Sequence, residues 1–193
     1  MADILVFTSI TLDGVMQAPG RPDEDTRDGF QHGGWALPYG DEVMGGATAE
    51  SMATSGAILL GRRTYEDLYS YWPNQTDNPF TTVLDNTMKY VASTTLTEPL
   101  PWQNSTLLKG DATEAVARLK EQPGKDIVVL GSGELVGSLR RRGLVDRYVL
   151  LIHPLVLGKG RRLFPDGSAY ASLRLLDTKA TTTGVIIATY QAT

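Results

Sequence analysis

The chain of 193 residues contains no cysteine and only two histidines, His32 and His153. Without cysteine it can form neither a disulfide nor a thiolate metal site, and it has no thiol nucleophile. The histidines have no third ligand at a useful spacing, so we predict no metal. Long apolar runs are also lacking: the stretches 57–60 and 148–152 fall far short of the roughly 20 residues that a membrane helix needs. We therefore expect no membrane partner.

Neither sign of charge is in large excess, because 18 basic and 22 acidic side chains leave a net charge of −4. These charges are mostly interspersed, which argues against nucleic acid as a partner. The hydrophobic fraction of 41% is near the average of folded globular proteins, and the N-terminal segment lacks the basic start of a secretory signal. These features predict a single domain over residues 1–193 and a cytoplasmic protein.

Strand and helix patterns alternate through most of the chain, which is typical of an α/β fold. Apolar, β-rich runs predict strands at 3–9, 57–60, 88–92, 106–108, 126–130, 146–153, 173–179 and 184–190. Amphipathic segments predict helices at 41–54, from 62 onward, at 112–122 and at 134–142. Since no helix separates the last strands, we expect three α-β-α layers, with a mostly parallel central sheet that has antiparallel C-terminal strands at one edge.

Two strand-to-helix junctions carry residues suited to phosphate, because helix N-termini offer free N–H groups. Gly61-Arg62-Arg63-Thr64 places two guanidinium groups and a hydroxyl at a helix start, although a solvated arginine pair after a turn would have the same sequence. Gly131-Ser132-Gly133 would let a pyrophosphate approach backbone amides, and a simple tight turn is the alternative. Val136 stands where the third glycine of the Rossmann fingerprint belongs, so we disfavour a Rossmann domain.

A third junction, Ser93-Thr94, offers hydroxyls to an adenine ribose or its phosphate.

The carboxylate of Asp41, at the end of the long irregular segment 11–40, is a candidate proton donor. Asp41 follows Trp35, Leu37 and Tyr39, whose side chains would form an apolar wall. An acid in such surroundings has its charged form disfavoured and can hold a proton. The alternative is that Asp41 only caps the helix that it begins, and both roles are compatible.

Taken in order, these segments resemble the dihydrofolate-reductase-like superfamily, and most closely its branch that resembles the reductase domain of the bifunctional riboflavin-biosynthesis protein. The resemblance covers nearly the whole chain and is carried by residues 9–14, 34–41, 61–66, 129–135 and 153–154 together with 158–165. It implies NADPH as the hydride donor, lying across the carboxyl ends of the sheet. The cofactor-binding residues that it implies are Asp13, Gly14, Gly61, Arg62, Arg63, Thr64, Ser93, Thr94, Gly131, Ser132, Gly133, Glu134 and Leu135.

By this resemblance, residues 62–64 hold the 2′-phosphate and pyrophosphate region, 93–94 lie near the adenosine, and 131–135 cradle the pyrophosphate. A mobile segment around Asp13 and Gly14 closes over the nicotinamide and excludes water. Asp41 stands one position later than the acidic residue of the folate enzymes, because Gly40 occupies that place.

The expected activity is hydride transfer from NADPH to a pterin- or pyrimidine-like heterocycle, or to a ribosylamino-pyrimidine, bound between Trp35, Tyr39 and Asp41. Two alternatives stay open: a true dihydrofolate reductase, and a nucleotide-binding protein without turnover. The strands after Val145 would pair or pack across a two-fold axis, and the related proteins are usually dimers, so we expect a homodimer.

Overall fold

The structure is a computed structural model that describes all of residues 1–193. Its strands are β1 Ile4–Thr11, β2 Ser55–Gly61, β3 Met88–Ala92, β4 Ser105–Leu108, β5 Asp126–Leu130, β6 Arg147–His153, β7 Leu173–Ala180 and β8 Ile186–Ala192. Its helices are α1 Glu42–Thr54, α2 Arg62–Tyr71, α3 Pro79–Asn86, α4 Ala112–Glu121 and α5 Gly133–Arg141. None of these helices is long and apolar enough to cross a bilayer.

All eight strands lie in one sheet, in the order β4-β3-β2-β5-β1-β6-β8-β7. Every neighbouring pair from β4 to β6 is parallel, whereas β8 is antiparallel to both β6 and β7. β1 lies inside the sheet between β5 and β6, as expected for a strand that is apolar on both faces. The predicted parallel sheet with antiparallel C-terminal strands at one edge is confirmed.

The side chains of β1 alternate between two cores, because successive residues of a strand point to opposite faces. Ile4 and Val6 belong to one core, which also contains residues of α4 and α5. Leu5 and Phe7 belong to the other core, which contains residues of α1, α2 and α3. Helices therefore cover both faces of the sheet, and the predicted three-layer arrangement is confirmed.

Helix α3 was not among the predicted elements, because the Pro- and Asn-rich stretch before it is typical of a loop. The local signal for its start is nevertheless present in the sequence. Asn78 is the N-cap, its side-chain oxygen accepts a hydrogen bond from the Phe80 amide, and Pro79 occupies the first turn. Asparagine followed by proline is a recognised helix start, since proline needs no acceptor for an N–H group there.

Candidate nucleotide and substrate site

The turns that follow β2 and β5 lie side by side at the carboxyl edge of the sheet, since these strands are neighbours. Ser132 joins the two turns. Its Oγ accepts a hydrogen bond from the Gly61 amide at 2.9 Å and donates one to Oγ1 of Thr64 at 3.0 Å. The structure therefore brings the two predicted phosphate-binding segments, residues 61–64 and 131–135, to one place.

Helices α2 and α5 both begin at this place without a side-chain cap. The Gly61 position has no side chain to offer, and the hydroxyl of Ser132 is engaged with the neighbouring turn. The first amides of a helix have no acceptor within the helix, and the helix dipole adds partial positive charge there. Two such ends side by side form a donor set suited to an anion with several oxygens.

Glycine is required where these turns close on their neighbours. A Cβ atom at Gly133 would lie 2.8 Å from Sδ of Met16, closer than real Cβ atoms approach. Gly131 has a φ of +53°, and a Cβ there would lie 3.3 Å from the Thr64 side chain. Ser132 also has a positive φ, 55°, which is uncommon for a residue with a side chain and concentrates at functional sites. The small residues thus leave the amides of this corner open.

Charged side chains surround the two helix starts. Arg62 forms an ion pair with Glu66 one turn along α2, at 3.1 Å, whereas the exposed Arg63 forms none. Glu134 in the first turn of α5 contacts Arg161 at 3.0 Å and, more loosely, Arg27 at 3.7 Å. All of these pairs are at least partly exposed, so their guanidinium groups can exchange a carboxylate for a phosphate at little cost.

Ser93 and Thr94 line a surface cavity of about 510 Å³ after the end of β3. The Ser93 hydroxyl already accepts hydrogen bonds from the amides of Thr95 and Leu96, so its oxygen helps to shape this turn. Thr94 is exposed. Because β3 is the neighbour of β2 in the sheet, this cavity lies on the far side of β2 from the turn after β5.

The segment around Asp13 and Gly14 is held to the loop that follows β6. The Asp13 carboxylate accepts hydrogen bonds from the amides of Leu157 and Gly158, and the Gly14 carbonyl accepts one from Leu163. Although burial acts to raise the pKa of Asp13, hydrogen bonds from Thr11, Leu157 and Gly158 hold it below its ordinary value. The carboxylate is therefore committed to joining two loops, and any closure of this segment would carry residues 155–163 with it.

The predicted substrate wall is only partly formed by the residues expected to form it. Trp35 is buried and Tyr39 is half-buried, but Leu37 is 63% exposed and so does not contribute to a buried wall. Trp35 is anchored by its Nε1, which donates to the Gln17 carbonyl at 2.7 Å. These aromatic residues stand at the end of β6 and the start of β8, so they flank the end of β1 on the side opposite to the two uncapped helices.

Asp41 is the N-cap of α1, as the alternative prediction had it. One carboxylate oxygen accepts a hydrogen bond from the Met44 amide at 2.9 Å, and the other accepts from the amide and hydroxyl of Thr182, both at 2.7 Å. The Met44 amide first, and then Thr182, lower the pKa of Asp41 below its ordinary value. The expectation that an apolar wall would disfavour the charged carboxylate is therefore wrong, because hydrogen bonds to the charged form outweigh desolvation.

His153, the last residue of the predicted strand 146–153, lies at the centre of this region. It ends β6 and is fully buried. The rings of Trp35 and Tyr39 both meet its imidazole edge-to-face, with ring centres at 5.0 and 5.5 Å. The sequence signal for a role of His153 was its position at the carboxyl end of a parallel strand. Its burial could not be predicted, because it depends on the packing of the distant loop that carries Trp35 and Tyr39.

The sheet order and the placement of the loops define the class of protein: an α/β protein of the dihydrofolate-reductase-like fold. The same fold is found in a protein assigned to riboflavin biosynthesis in Shewanella sp. PV-4, with a TM-score of 0.72, 21% identity and coverage of 100% of this chain and 99% of that one. It is also found in a Thermotoga maritima diaminohydroxyphosphoribosylaminopyrimidine deaminase/5-amino-6-(5-phosphoribosylamino)uracil reductase, with a TM-score of 0.66 and 12% identity. All of this chain aligns with that structure, but the aligned part is only 57% of that longer protein.

The chain belongs to the RibD C-terminal domain family, whose model matches residues 2–187. The predicted resemblance is thus confirmed. Among related sequences, the uncharacterized protein YyaP of Bacillus subtilis (strain 168) is 34% identical over 139 residues, which are 69% of this chain and 72% of YyaP.

Proposed function

We propose that this protein is an NADPH-dependent reductase that transfers a hydride to a pterin- or pyrimidine-like heterocycle, or to a ribosylamino-pyrimidine. The observation that carries the proposal is the joining of two uncapped helix starts by Ser132, beside Arg62 and Arg63. Membership of the RibD C-terminal domain family supports it, because a relative of the same fold has a reductase activity in its name.

The chemistry of the corner fits a dinucleotide phosphate chain. The amides that open α5 and the glycines at 131 and 133 would hold the pyrophosphate. Arg62, Arg63 and Thr64 would hold the 2′-phosphate and neighbouring oxygens, with Ser93 and Thr94 near the adenosine. When bound, NADPH supplies the hydride, and the protein's own part is to bind, orient and exclude water.

The heterocycle would bind beside Trp35 and Tyr39, on the other side of the β1 end. A planar ring packs well on an aromatic wall of this kind. Asp41 is ionised at neutral pH because its pKa is lowered by the Met44 amide and by Thr182. We therefore assign to Asp41 the positioning of α1 and of the turn before β8, and we propose that the proton comes from solvent.

The proposal is tested by titration calorimetry with NADPH and NADH, followed by assays of NADPH consumption with candidate heterocycles. We expect binding of NADPH in preference to NADH, and consumption with a pterin or pyrimidine. Turnover with dihydrofolate would instead identify a true dihydrofolate reductase. Binding without consumption of NADPH by any heterocycle would favour a nucleotide-binding protein without turnover, and no binding of either coenzyme would contradict the proposal.

We further propose that the protein is a homodimer in which β7 contributes to the interface. β7 is one of the two edge strands of the sheet and is exposed over nearly its whole length, with Leu175 51% and Leu176 44% exposed. An exposed edge with apolar side chains is prone to pairing with another chain. Light scattering should show a dimer for the native protein and a monomer after Leu175→Lys, and a native monomer would contradict this assignment.

A further inference from the structure

The imidazole of His153 has one nitrogen satisfied and one left without a partner. Nδ1 lies 2.9 Å from the carbonyl oxygen of Leu151. A carbonyl only accepts, so Nδ1 must carry the hydrogen in this contact. In the neutral ring, Nε2 is then a bare acceptor, and it is buried without any hydrogen-bond partner. Burial lowers the pKa of His153 more than the nearby carbonyls of Leu151 and Ile10 raise it, and neither carbonyl is in hydrogen-bond geometry with Nε2, so the neutral ring with an unpaired Nε2 is the relevant one.

A buried acceptor without a donor costs stability, and an apolar side chain of similar size would avoid that cost. Core packing alone therefore does not account for a histidine at this position. Native structures contain few buried polar groups without a hydrogen-bond partner, and those that occur are often explained by a ligand or by a strained functional arrangement.

The two rings that contact the imidazole are held very differently. Trp35 is 7% exposed and is fixed by the hydrogen bond from its Nε1 to Gln17. Tyr39 is half-buried: its side chain packs partly against the core that contains residues of α1, α2 and α3, its hydroxyl makes no hydrogen bond, and its carbonyl accepts a hydrogen bond from Oγ1 of Thr183. Because Trp35 and His153 are buried and Tyr39 is only half-buried, the Tyr39 ring is the part of this cluster that borders solvent.

We propose that His153 is a substrate-binding residue covered by Tyr39: when the Tyr39 ring turns aside, Nε2 of His153 accepts a hydrogen bond from an N–H group of the heterocycle packed against Trp35. This inference rests on the proposed function and names the substrate more narrowly. The substrate is a planar nitrogen heterocycle that carries an N–H donor, ring or amino, on the edge that enters this cluster. The Nδ1 contact to Leu151 fixes the tautomer that leaves Nε2 free to accept.

The inference is tested with two probes of similar shape, diaminopyrimidine, which carries N–H donors, and dimethoxypyrimidine, which carries none. In long-range proton–nitrogen NMR spectra of the wild-type protein, diaminopyrimidine should move the Nε2 resonance of His153 in the direction of hydrogen-bond acceptance, and dimethoxypyrimidine should not. Diaminopyrimidine should also bind about fivefold more tightly than dimethoxypyrimidine, the value of one neutral hydrogen bond.

Substitutions sharpen the test. His153→Asn keeps a donor for the Leu151 carbonyl, but its shorter side chain has no atom at the position of Nε2, so it should lose the preference between the probes. The matched control is His32→Asn, because His32 is exposed in a loop and should leave the preference unchanged. Tyr39→Ala should accelerate hydrogen exchange at the imidazole carbon of His153 several-fold, and Tyr39→Phe should not.

Equal binding of the two probes, an Nε2 resonance that stays in place, or no binding of either probe would overturn the inference. If His153→Asn does not fold, the spectra of the wild-type protein decide the matter. None of these measurements requires turnover. A protein that binds NADPH but ignores both probes would refute only this inference, whereas failure to bind either nicotinamide coenzyme would refute the proposed function.

Discussion

The five helices of this protein begin in two different ways. α1, α3 and α4 begin at Asp41, Asn78 and Asp111, and in each case the side-chain oxygen accepts a hydrogen bond from a first-turn amide. α2 and α5 begin at Gly61 and Ser132 and have no such cap. A good cap contributes about 1 kcal/mol, so two of the five helices forgo stabilisation that the other three obtain.

The difference matters because the two uncapped starts are the ones that lie together. The only side chain positioned to cap either of them, that of Ser132, instead holds the two turns against each other. At the capped starts the first amides are partly satisfied within the chain, whereas at the uncapped starts they remain available to a ligand. Under the proposed function, the stability that a cap would contribute at these two starts is given up for an anion site, an exchange that is common at functional positions.

The largest effect should come from removing the cations beside the uncapped starts. We expect Arg62→Ala combined with Arg63→Ala to weaken NADPH binding about a hundredfold, since two charge-assisted hydrogen bonds of about 1.5 kcal/mol each are lost. Binding of NADH, which lacks the 2′-phosphate, should change much less. Calorimetry with both coenzymes measures this, and equal losses would remove the arginines from 2′-phosphate recognition.

A smaller effect should come from adding one methyl group at an uncapped start. Gly133→Ala places a Cβ 2.8 Å from Sδ of Met16, so the turn and the buried Met16 side chain must move apart, and NADPH should bind about tenfold more weakly. Gly137→Ala is the matched control in the same helix, because its Cβ would meet only an ordinary contact at 3.7 Å. If both variants bind NADPH like the wild type, NADPH binding does not require a close approach of the ligand to the backbone at residue 133.

A capped start should respond in the opposite way, by losing stability without losing the ligand. Asn78→Ala removes the acceptor for the Phe80 amide and should lower the free energy of unfolding by about 1 kcal/mol. NADPH affinity should stay as it is, because no hydrogen bond of Asn78 reaches the joined turns. Denaturant unfolding with a parallel NADPH titration checks both expectations, and weaker NADPH binding would break the distinction between the two kinds of helix start.

Acid pH should act on the capped starts through their carboxylates. Hydrogen bonds from Thr113, and less strongly from Glu114, lower the pKa of Asp111 below its ordinary value of 3.8. A depressed carboxyl pKa gives stability that is present above the unfolded-state value and is lost as the pH falls through the folded-state value. In Asp111→Asn, the free energy of unfolding should therefore fall less steeply below about pH 4 than in the wild type. Denaturant unfolding at several pH values measures this, and the same pH dependence in both proteins would contradict the prediction.

The smallest effect is expected at Asp41. Asn caps helices as well as Asp does, and an ionised carboxylate cannot deliver a proton. Asp41→Asn keeps the acceptor for the Met44 amide and loses the one for the Thr182 amide, so it should cost some stability but keep turnover within about twofold of the wild type. Steady-state rates with a heterocycle that supports NADPH consumption measure this. A large fall in turnover with unchanged NADPH affinity would restore Asp41 as the proton donor.

Local patterns were sufficient to predict much of the fold. The bounds of β3 and β5, 88–92 and 126–130, are confirmed, because each is a β-rich run that stops at a polar or glycine-containing turn. The strand 184–190 begins later than predicted, at Ile186, because Gly184, with a φ of +88°, belongs to the preceding turn. The helix that was missed, α3, had its signal in the pair Asn78-Pro79.

The site was predicted less completely, since its key contacts join distant parts of the chain. The glycines and arginines at 61–64 and 131–133 were identified as candidates, but the contact between Ser132 and Gly61 spans 71 positions. The roles of Asp13 and His153 likewise depend on loops that pack together only in the folded protein. For Asp41, the apolar neighbours in sequence were misleading, because Thr182 reaches it from 141 positions away.

The most direct measurement is an NMR titration that follows the backbone amides at all five helix starts as NADPH is added. Our account predicts large shifts for Arg62, Arg63, Gly133 and Glu134, and little change at the starts of α1, α3 and α4. Shifts confined to the capped starts, or none at the joined turns while NADPH is bound, would contradict it.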